Sequence, residues 1–407
     1  MNILQQAREF VQQRCAKKDW QRCPYCGSLE TQRHGSYERH PWRLFGRQTV
    51  QVARHRCLSC KRTYSETSAG LKRGSWYGCE VQRLSVDLWM HGRMSLRRAA
   101  EFMRSVMGQQ ERWLLWGLRG RRRKGRRRCE LSASTVHRWL DGSGRHVAAH
   151  ITEQWAGIPS SGQMGVDGLW ARLRAGTQQV VLLLSDTVTG LVWPPVVGAS
   201  EDSACWGEVF LRAAQAGLDW LQLDGVTADG AAGLKSWLQR QLPHVHLQRC
   251  VWHLWRNLGS AFASLETGVR AELTGLVHAV LDAASYEAAE AALLVLAAHP
   301  QGSGLGRQLR AVLDEALVYL LPAHQGLSRV GPEHLWRDFR LRLSHGRNHG
   351  SAQRLERAAL LWALYHNFTP AQWRSEHKRH YRHPGLSPLE VAGCPPGEIS
   401  YLDALLI

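Results

Sequence analysis

The stretch LQLDGVTADGAAGLKSWLQRQLPHVHLQRCVWHLWRN, Leu221 to Asn257, places an acid, a helix and a Cys/His pair in one short βαβ-like unit. The apolar, β-competent run Trp220 to Val226 leads to Asp229-Gly230. A helical pattern follows over Ala231 to Gln241 until Pro243 stops it, and a second short strand, Val245 to Leu247, leads into Cys250 and His253. An acid at a strand end, backed by a glycine that lets a ligand or backbone come close, is a common way to present a metal-binding carboxylate. Asp at such a point also suits a helix cap, and the stretch alone leaves both readings open.

The ordered set Asp229-Gly230, Gly233-Leu234, Gln248-Arg249-Cys250, His253 and Arg256-Asn257 resembles the core signature of prokaryotic insertion-sequence transposases of the Mutator-like group. The resemblance implies a ribonuclease H-like catalytic domain, an Asp/Asp/Glu triad, and a Cys-x-x-His pair after the second Asp. It also implies an all-α insertion between the last strand and the closing helices.

Outward from that stretch, Gly165-Val-Asp167-Gly-Leu-Trp170 opens the second half, and the alternating and apolar runs Ala171 to Arg174, Val180 to Ser185 and Leu191 to Val197 read as three strands. A helix follows over Asp202 to Ala216. Three antiparallel strands followed by αβαβ is the order of a ribonuclease H-like fold, so the expected class is α/β, with the core at 160–258. Asp167 on the first strand and Asp229 at the end of the fourth take the first two acidic places. Asp186, heading a hairpin turn, and Asp224, inside a strand, read as structural.

Amphipathic helices over 259–328 fit the insertion, and 329–378 the closing helices. Glu333 follows Pro332 and opens a helix carrying Arg337, Arg340 and Arg342, which resembles the family's third acid; the lead-in Arg329-Val-Gly-Pro332 departs from the usual Thr/Asn. Glu356 is its rival. Residues 379–407 lack periodicity and resemble a loose, proline-containing end.

Charge divides the chain. Residues 1–150 hold 31 Lys and Arg against 11 Asp and Glu, whereas 151–407 hold 21 against 23, so the formal charge of +18 belongs to the first part. A basic module joined to a nearly neutral one points to a polyanionic partner, DNA or RNA. With 44% hydrophobic residues and 18 Trp, the composition excludes global disorder. The start lacks an apolar signal core and no apolar run approaches the roughly 20 residues of a membrane span, so the expected setting is cytoplasmic, nucleoid-associated and away from membranes.

Within the basic part, residues 1–20 read as a short helix, and Cys23-Pro-Tyr-Cys26 with Cys57-Leu-Ser-Cys60 reads as a zinc ribbon over 21–78. Two Cys-x-x-Cys knuckles can set four thiolates tetrahedrally around one structural Zn²⁺. Residues 79–150 read as helical, with Val81 to His91, a Ser95-capped helix, and a third helix capped by Ser132 or Ser134. This is the pattern of a helix-turn-helix presenting Ser134, Thr135, His137 and Arg138 to a major groove. An arm at 119–128 adds Arg119, Arg121, Arg122, Arg123, Lys124, Arg126, Arg127 and Arg128 for phosphate contact.

The resemblance implies phosphoryl transfer on DNA by Asp167, Asp229 and Glu333, holding two Mg²⁺ ions, with Mn²⁺ able to substitute. Carboxylate oxygens suit such hard cations. The implied partners are double-stranded DNA, as transposon ends and target, and a second copy of the chain, since two ends must be brought together. Cys250 and His253 lie on one helix face beside the site, and a zinc set with His244 and His246 is a further option. Trp170, Trp252 and Trp255 are candidates for stacking on an unpaired base. The competing functions are a non-catalytic DNA-binding regulator descended from such an enzyme, and a structure-specific nuclease of the same fold.

Overall fold

The computed structural model describes residues 22–66, 70–72, 74–116, 130–263, 265–324, 327–345, 349–370, 383 and 385–405, with side chains 109–116, 323, 344 and 345 left aside. The expected N-terminal helix over 1–20 and the basic arm over 119–128 lie outside them. The chain is mixed α/β and forms two compact units, one from Met1–Ala149, Leu341–Gly346 and Glu398–Ile407, the other from His150–Arg340 and Arg347–Gly397. Among the described residues, no helix is long and apolar enough to cross a membrane.

The first unit begins with strands β1 (Thr31–Arg39), β2 (Trp42–Arg43), β3 (Gly46–Arg47), β4 (Val50–Cys57) and β5 (Thr63–Ser65). β1, β4 and β5 make an antiparallel sheet in that order, and β2 and β3 a small hairpin. β1 is exposed along almost its whole length, so this sheet buries little. Its core is Cys23, Cys57 and Tyr64, packed by Cys60, too small to hold a fold without a staple.

Helices α1 (Cys79–Met90), α2 (Leu96–Trp116) and α3 (Ala133–Ala149) then pack on one another. Each buries one stripe: Val81, Val86, Trp89 and Met90 on α1, Ala99, Ala100, Met103 and Met107 on α2, Val136, Leu140 and Val147 on α3. Ser132 accepts from the Thr135 amide at 3.2 Å at the start of α3. In the second unit, short helix α4 (Ile151–Trp155) precedes the sheet.

That sheet contains β6 (Gln163–Arg172), β7 (Gln178–Asp186), β8 (Val196–Gly198), β9 (Gly225–Ala228) and β10 (His246–Arg249). The spatial order is β10-β9-β6-β7-β8; β6, β7 and β8 are antiparallel, and β9 runs parallel to both β6 and β10. Val180 to Leu184 on β7 are all fully buried. Because successive strand side chains point to opposite faces, both faces of β7 are covered. The helices packed on it are α5 (Ser203–Gln215) and, later in the chain, a helix over Ala352–Phe368. Asp202 caps α5, accepting from the Cys205 amide at 2.9 Å. The β-competent run from Trp220 starts instead with a 3₁₀ turn, Trp220–Gln222, held by Asp219, so β9 begins only at Gly225.

After α6 (Ala232–Gln241) and β10, helices α7 (Val251–Ala263), α8 (Thr267–Leu281), α9 (Tyr286–Ala298), α10 (Ser303–Arg310) and α11 (Leu313–Ala316) share a separate apolar core. Leu254, Leu258, Leu273, Val277, Leu293, Leu296 and Leu309 lie in it. At about 25 cal/mol per Å² of apolar surface removed from water, such burial suffices to hold the helices as one body. The chain then returns through α12 (Glu333–His345) and α13 (Ala352–Phe368). Within the segment expected to lack periodicity, α14 (Pro388–Val391) and α15 (Tyr401–Ala404) are single turns, each closed by a capping box.

Candidate active site and metal-binding groups

β6 and β9 pair in parallel as Gln163 with Gly225, Met164 with Val226 and Gly165 with Thr227. The pairing ends there; Asp167 lies two residues on along β6 and Asp229 just past the end of β9, near enough for its charge to act on Asp167. Gly230 adopts φ +84°, and a Cβ there would fall on the Arg249 guanidinium, so the turn after Asp229 requires glycine. One oxygen of Asp229, Oδ1, accepts from the Ala231 amide at 2.9 Å, so the acid also closes the turn that leads into α6 while standing beside Asp167.

The third acid arrives by a docked loop. Thr227 Oγ1 donates to the Ser328 carbonyl at 2.6 Å, and the Val251 amide donates to the Arg329 carbonyl at 2.9 Å. Gly165 leaves room for Pro332, whose Cδ would lie 3.1 Å from a Cβ at that position. Glu333, the first residue of α12, is thereby brought to the strand that carries Asp167. Cys250 Sγ donates to its Oε1 at 2.9 Å, and His253 Nδ1 lies 2.9 Å from the same oxygen. Oε2 of Glu333 is buried, with no hydrogen-bond partner among the described residues.

The electrostatics follow from this crowding. Burial, and then the Glu333 and Asp229 carboxylates, push Asp167 up to about 7, against the opposing pull of His253 and the Gly168 amide. Burial also acts to raise Glu333, but the contacts from His253 and Cys250 outweigh it and hold the carboxyl below its ordinary value. Burial and the Glu333 charge push the Cys250 thiol up to about 12, so it is a protonated donor. Converging carboxylates, one with an unpartnered buried oxygen, are the donor set that a hard divalent cation takes.

A fourth acid stands at the edge. Glu201, on the loop before α5, accepts from Trp170 Nε1 at 2.7 Å, and burial and Asp229 raise its carboxyl above the usual range. It fits because Gly168 and Gly233 carry no side chain: a Cβ on the first would meet its Oε1 at 2.8 Å and one on the second its carbonyl oxygen at 2.4 Å. Those two glycines, beside Asp167 and on α6, were the available signal in the sequence.

The other candidates fall elsewhere. Glu356 on α13 is paired with Arg212. Asp186 is buried and organises its turn, accepting from the amides of Ser161, Val188 and Thr189. Asp224 is exposed and precedes β9, at the end of the strand opposite Asp229, rather than lying inside it. His244 faces the Trp220 carbonyl at 3.3 Å and the His246 ring lies 4.3 Å from that of His324, so neither joins Cys250 and His253. Arg342 is buried and donates to the Met90 carbonyl, which removes it from phosphate contact. Trp255 packs against Phe262 and His278 within the helical core, whereas Trp170 and Trp252 are about half exposed, the latter with the Arg256 guanidinium 5.1 Å above its ring.

In the first unit, the Sγ atoms of Cys23, Cys26, Cys57 and Cys60 all lie within 4.8 Å of one another. The two knuckles are alike. The residue after the second cysteine of each is left-handed, Gly27 at φ +74° and Lys61 at φ 61°. The Cys60 amide donates to Cys57 Sγ at 3.4 Å and leads the pull that brings this thiol down to about 6. Four convergent sulfurs of this kind can hold one zinc. On α3, Ser134 and Arg138 are exposed, while Thr135 and His137 are half-buried, and Arg138 donates to Thr135 Oγ1 at 3.2 Å. The arm residues Arg119, Arg121, Arg122, Arg123, Lys124, Arg126, Arg127 and Arg128 lie outside the described residues.

None of the curated proteins matches the chain. Residues 195–322 match the family model described as transposase, Mutator family. The matched segment runs from the end of the β7–β8 connection through the helical core; it contains Asp229, Cys250 and His253, and neither Asp167 nor Glu333. Over this segment, the chain is similar to the Mutator family of transposases.

Proposed function

We propose that the protein is the DNA transposase of an insertion sequence, cutting and joining strands with Asp167, Asp229 and Glu333. The observation that carries the reading is that the charges of Glu333, at the start of α12, and Asp229, past the end of β9, both act on the buried Asp167 of β6. The strand order β10-β9-β6-β7-β8 supports a ribonuclease H-like core, and the packed trio α1, α2 and α3 supports a helix-turn-helix module. The four-cysteine group supports a zinc ribbon ahead of it. Ser134, Thr135, His137 and Arg138 of that module, with the arm at 119–128, would grip the ends of the element, as the basic balance of residues 1–150 favours.

Asp167, Asp229 and Glu333 would hold Mg²⁺. Two such ions activate water or a 3′-hydroxyl and stabilise the leaving oxygen in phosphodiester cleavage. The chain's own part is to gather the acids and keep them dry. Asp167, its proton held up by burial and two like charges, would bind a cation as the carboxylate, and Glu333 would offer Oε2 while Cys250 and His253 meet Oε1. Two ends brought together require at least two copies of the chain.

The test is a cleavage and strand-transfer assay on duplexes bearing the ends of the protein's own element, with Mg²⁺, run beside Asp229→Asn. Products from the wild type alone support the enzyme. Equal products from both proteins, or none from either despite end binding, favour a DNA-binding regulator. Cutting of branched DNA regardless of end sequence favours a structure-specific nuclease.

A further inference from the structure

Glu333 differs from the other two acids in what holds it. Asp167 Oδ1 accepts from the Gly168 amide and Asp229 Oδ1 from the Ala231 amide, each a local backbone bond. The side chain of Glu333 is held from another element: Cys250 and His253, at the start of α7, both meet one of its oxygens. The pair is itself fixed. Cys250 is fully buried and its sulfur accepts from the Gly331 amide at 3.3 Å, so its S–H points on toward Glu333. His253 is 4% exposed, its ring edge-on to Trp252 at 4.9 Å between centroids, and its Nδ1, 2.9 Å from Glu333 Oε1, is buried without a hydrogen-bond partner among the described residues.

We infer that Cys250 and His253 are positioning residues that, by occupying Oε1 of Glu333 with one hydrogen bond and one ion-pair contact, turn Oε2 toward the Asp167 and Asp229 carboxylates as a preformed metal-binding oxygen. The inference rests on the proposed role of Glu333. Cys250 donates its S–H to Oε1, and His253 Nδ1 lies 2.9 Å from the same oxygen as a close ion-pair contact. An unsupported glutamate at a helix start rotates freely about three bonds; two contacts from a buried helix turn remove that freedom before any cation arrives. Oε2 is left buried and unpartnered, which is unfavourable unless a cation completes it. The same cluster of sulfur, imidazole and carboxylate atoms, all within 4.8 Å, could also hold a zinc; against it stands the hydrogen bond from Cys250 to Glu333.

The experiment titrates Mn²⁺ alone into the full-length, zinc-loaded protein and follows free Mn²⁺ by electron paramagnetic resonance. Wild type is compared with Asp229→Asn, Glu333→Gln, Cys250→Ala, His253→Ala, and the donor-retaining Cys250→Ser and His253→Asn. Weakening of Mn²⁺ by about 10–100-fold in the two alanine variants, with recovery to within a few-fold in Cys250→Ser and His253→Asn, is the expected result. Far-ultraviolet circular dichroism shows which variants remain folded, and the donor-retaining pair decides the matter if an alanine variant does not. Unchanged Mn²⁺ affinity in folded Cys250→Ala and His253→Ala, while Asp229→Asn loses it, overturns the positioning role alone. No Mn²⁺ binding by the wild type overturns the proposed metal site itself. A second tightly held zinc in the purified protein, lost in Cys250→Ser, also overturns the positioning role, because the trio would then be a zinc site.

Discussion

Nδ1 of His253 lies 2.9 Å from Oε1 of Glu333, joining the first turn of α7 to the first residue of α12 across the whole helical segment between them. Whatever holds those helices together therefore also sets the third acid. A void in their shared core should be felt at the site: Leu273 and Val277 are fully buried there, and Leu273→Ala should cost about 2–5 kcal/mol of stability. Chemical denaturation measures that loss, and strand cleavage by the protein that remains folded should fall with it. Full activity in a destabilised variant would show the core and the site to be uncoupled.

Asp167 and pH give a second prediction. Its carboxyl stands at about 7 in the folded protein against an ordinary 3.8. The protonated form is the one the fold favours, so its contribution is complete below the unfolded value and is lost as pH rises through about 7. Asp167→Asn removes the loss. Without divalent cations the variant should melt higher than wild type at pH 8, with the gap closing toward pH 5; addition of Mg²⁺ at pH 8 should raise wild type only. A gap independent of pH would contradict the electrostatic account.

Glu356 offers a control for Glu333. Its carboxylate pairs with Arg212, whose guanidinium also reaches the Pro195 carbonyl at 3.1 Å and Glu208 at 3.2 Å. Glu356→Gln should cost stability, about 1–3 kcal/mol, and spare strand cleavage. Glu333→Gln should reduce cleavage by about 10²–10³-fold, the scale on which a preorganised charge-stabilising group acts. The reverse pattern would exchange the two assignments.

The cysteine ribbon predicts a distinct lability. Purified protein should carry about one zinc per chain, and a strong chelator should expose residues 22–66 to proteolysis, since their clustered core is Tyr64 with the cysteines themselves. The second unit should survive, because its sheet and helices bury their own apolar core. Cys57→Ser should act as the chelator does. Resistance of the metal-free ribbon would mean that zinc does not hold it.

Much of this is legible in the sequence because the signals are local. Asp229 with Gly230, the Pro243 stop and the Cys250/His253 spacing are all short-range patterns, and α6 and β10 fall within a residue or two of the expected bounds. Strand alternation places Asp167 on β6, and the paired Cys-x-x-Cys knuckles place four sulfurs together. What escapes is set by long-range packing. Glu201 has no motif of its own and matters only because Gly168 and Gly233 let its loop approach. Arg342 carries the same periodic mark as Arg337 and Arg340, yet it is buried while they are exposed. The contacts from Cys250 and His253 to Glu333 link residues that no sequence spacing relates.

The most direct test of the central claim is the anomalous scattering of a crystal of the protein soaked in Mn²⁺. The account predicts density for two ions about 4 Å apart, ligated by the carboxylates of Asp167, Asp229 and Glu333, with Glu333 contributing Oε2. Mn²⁺ bound elsewhere, or absent from these three acids at saturating concentration, would contradict it.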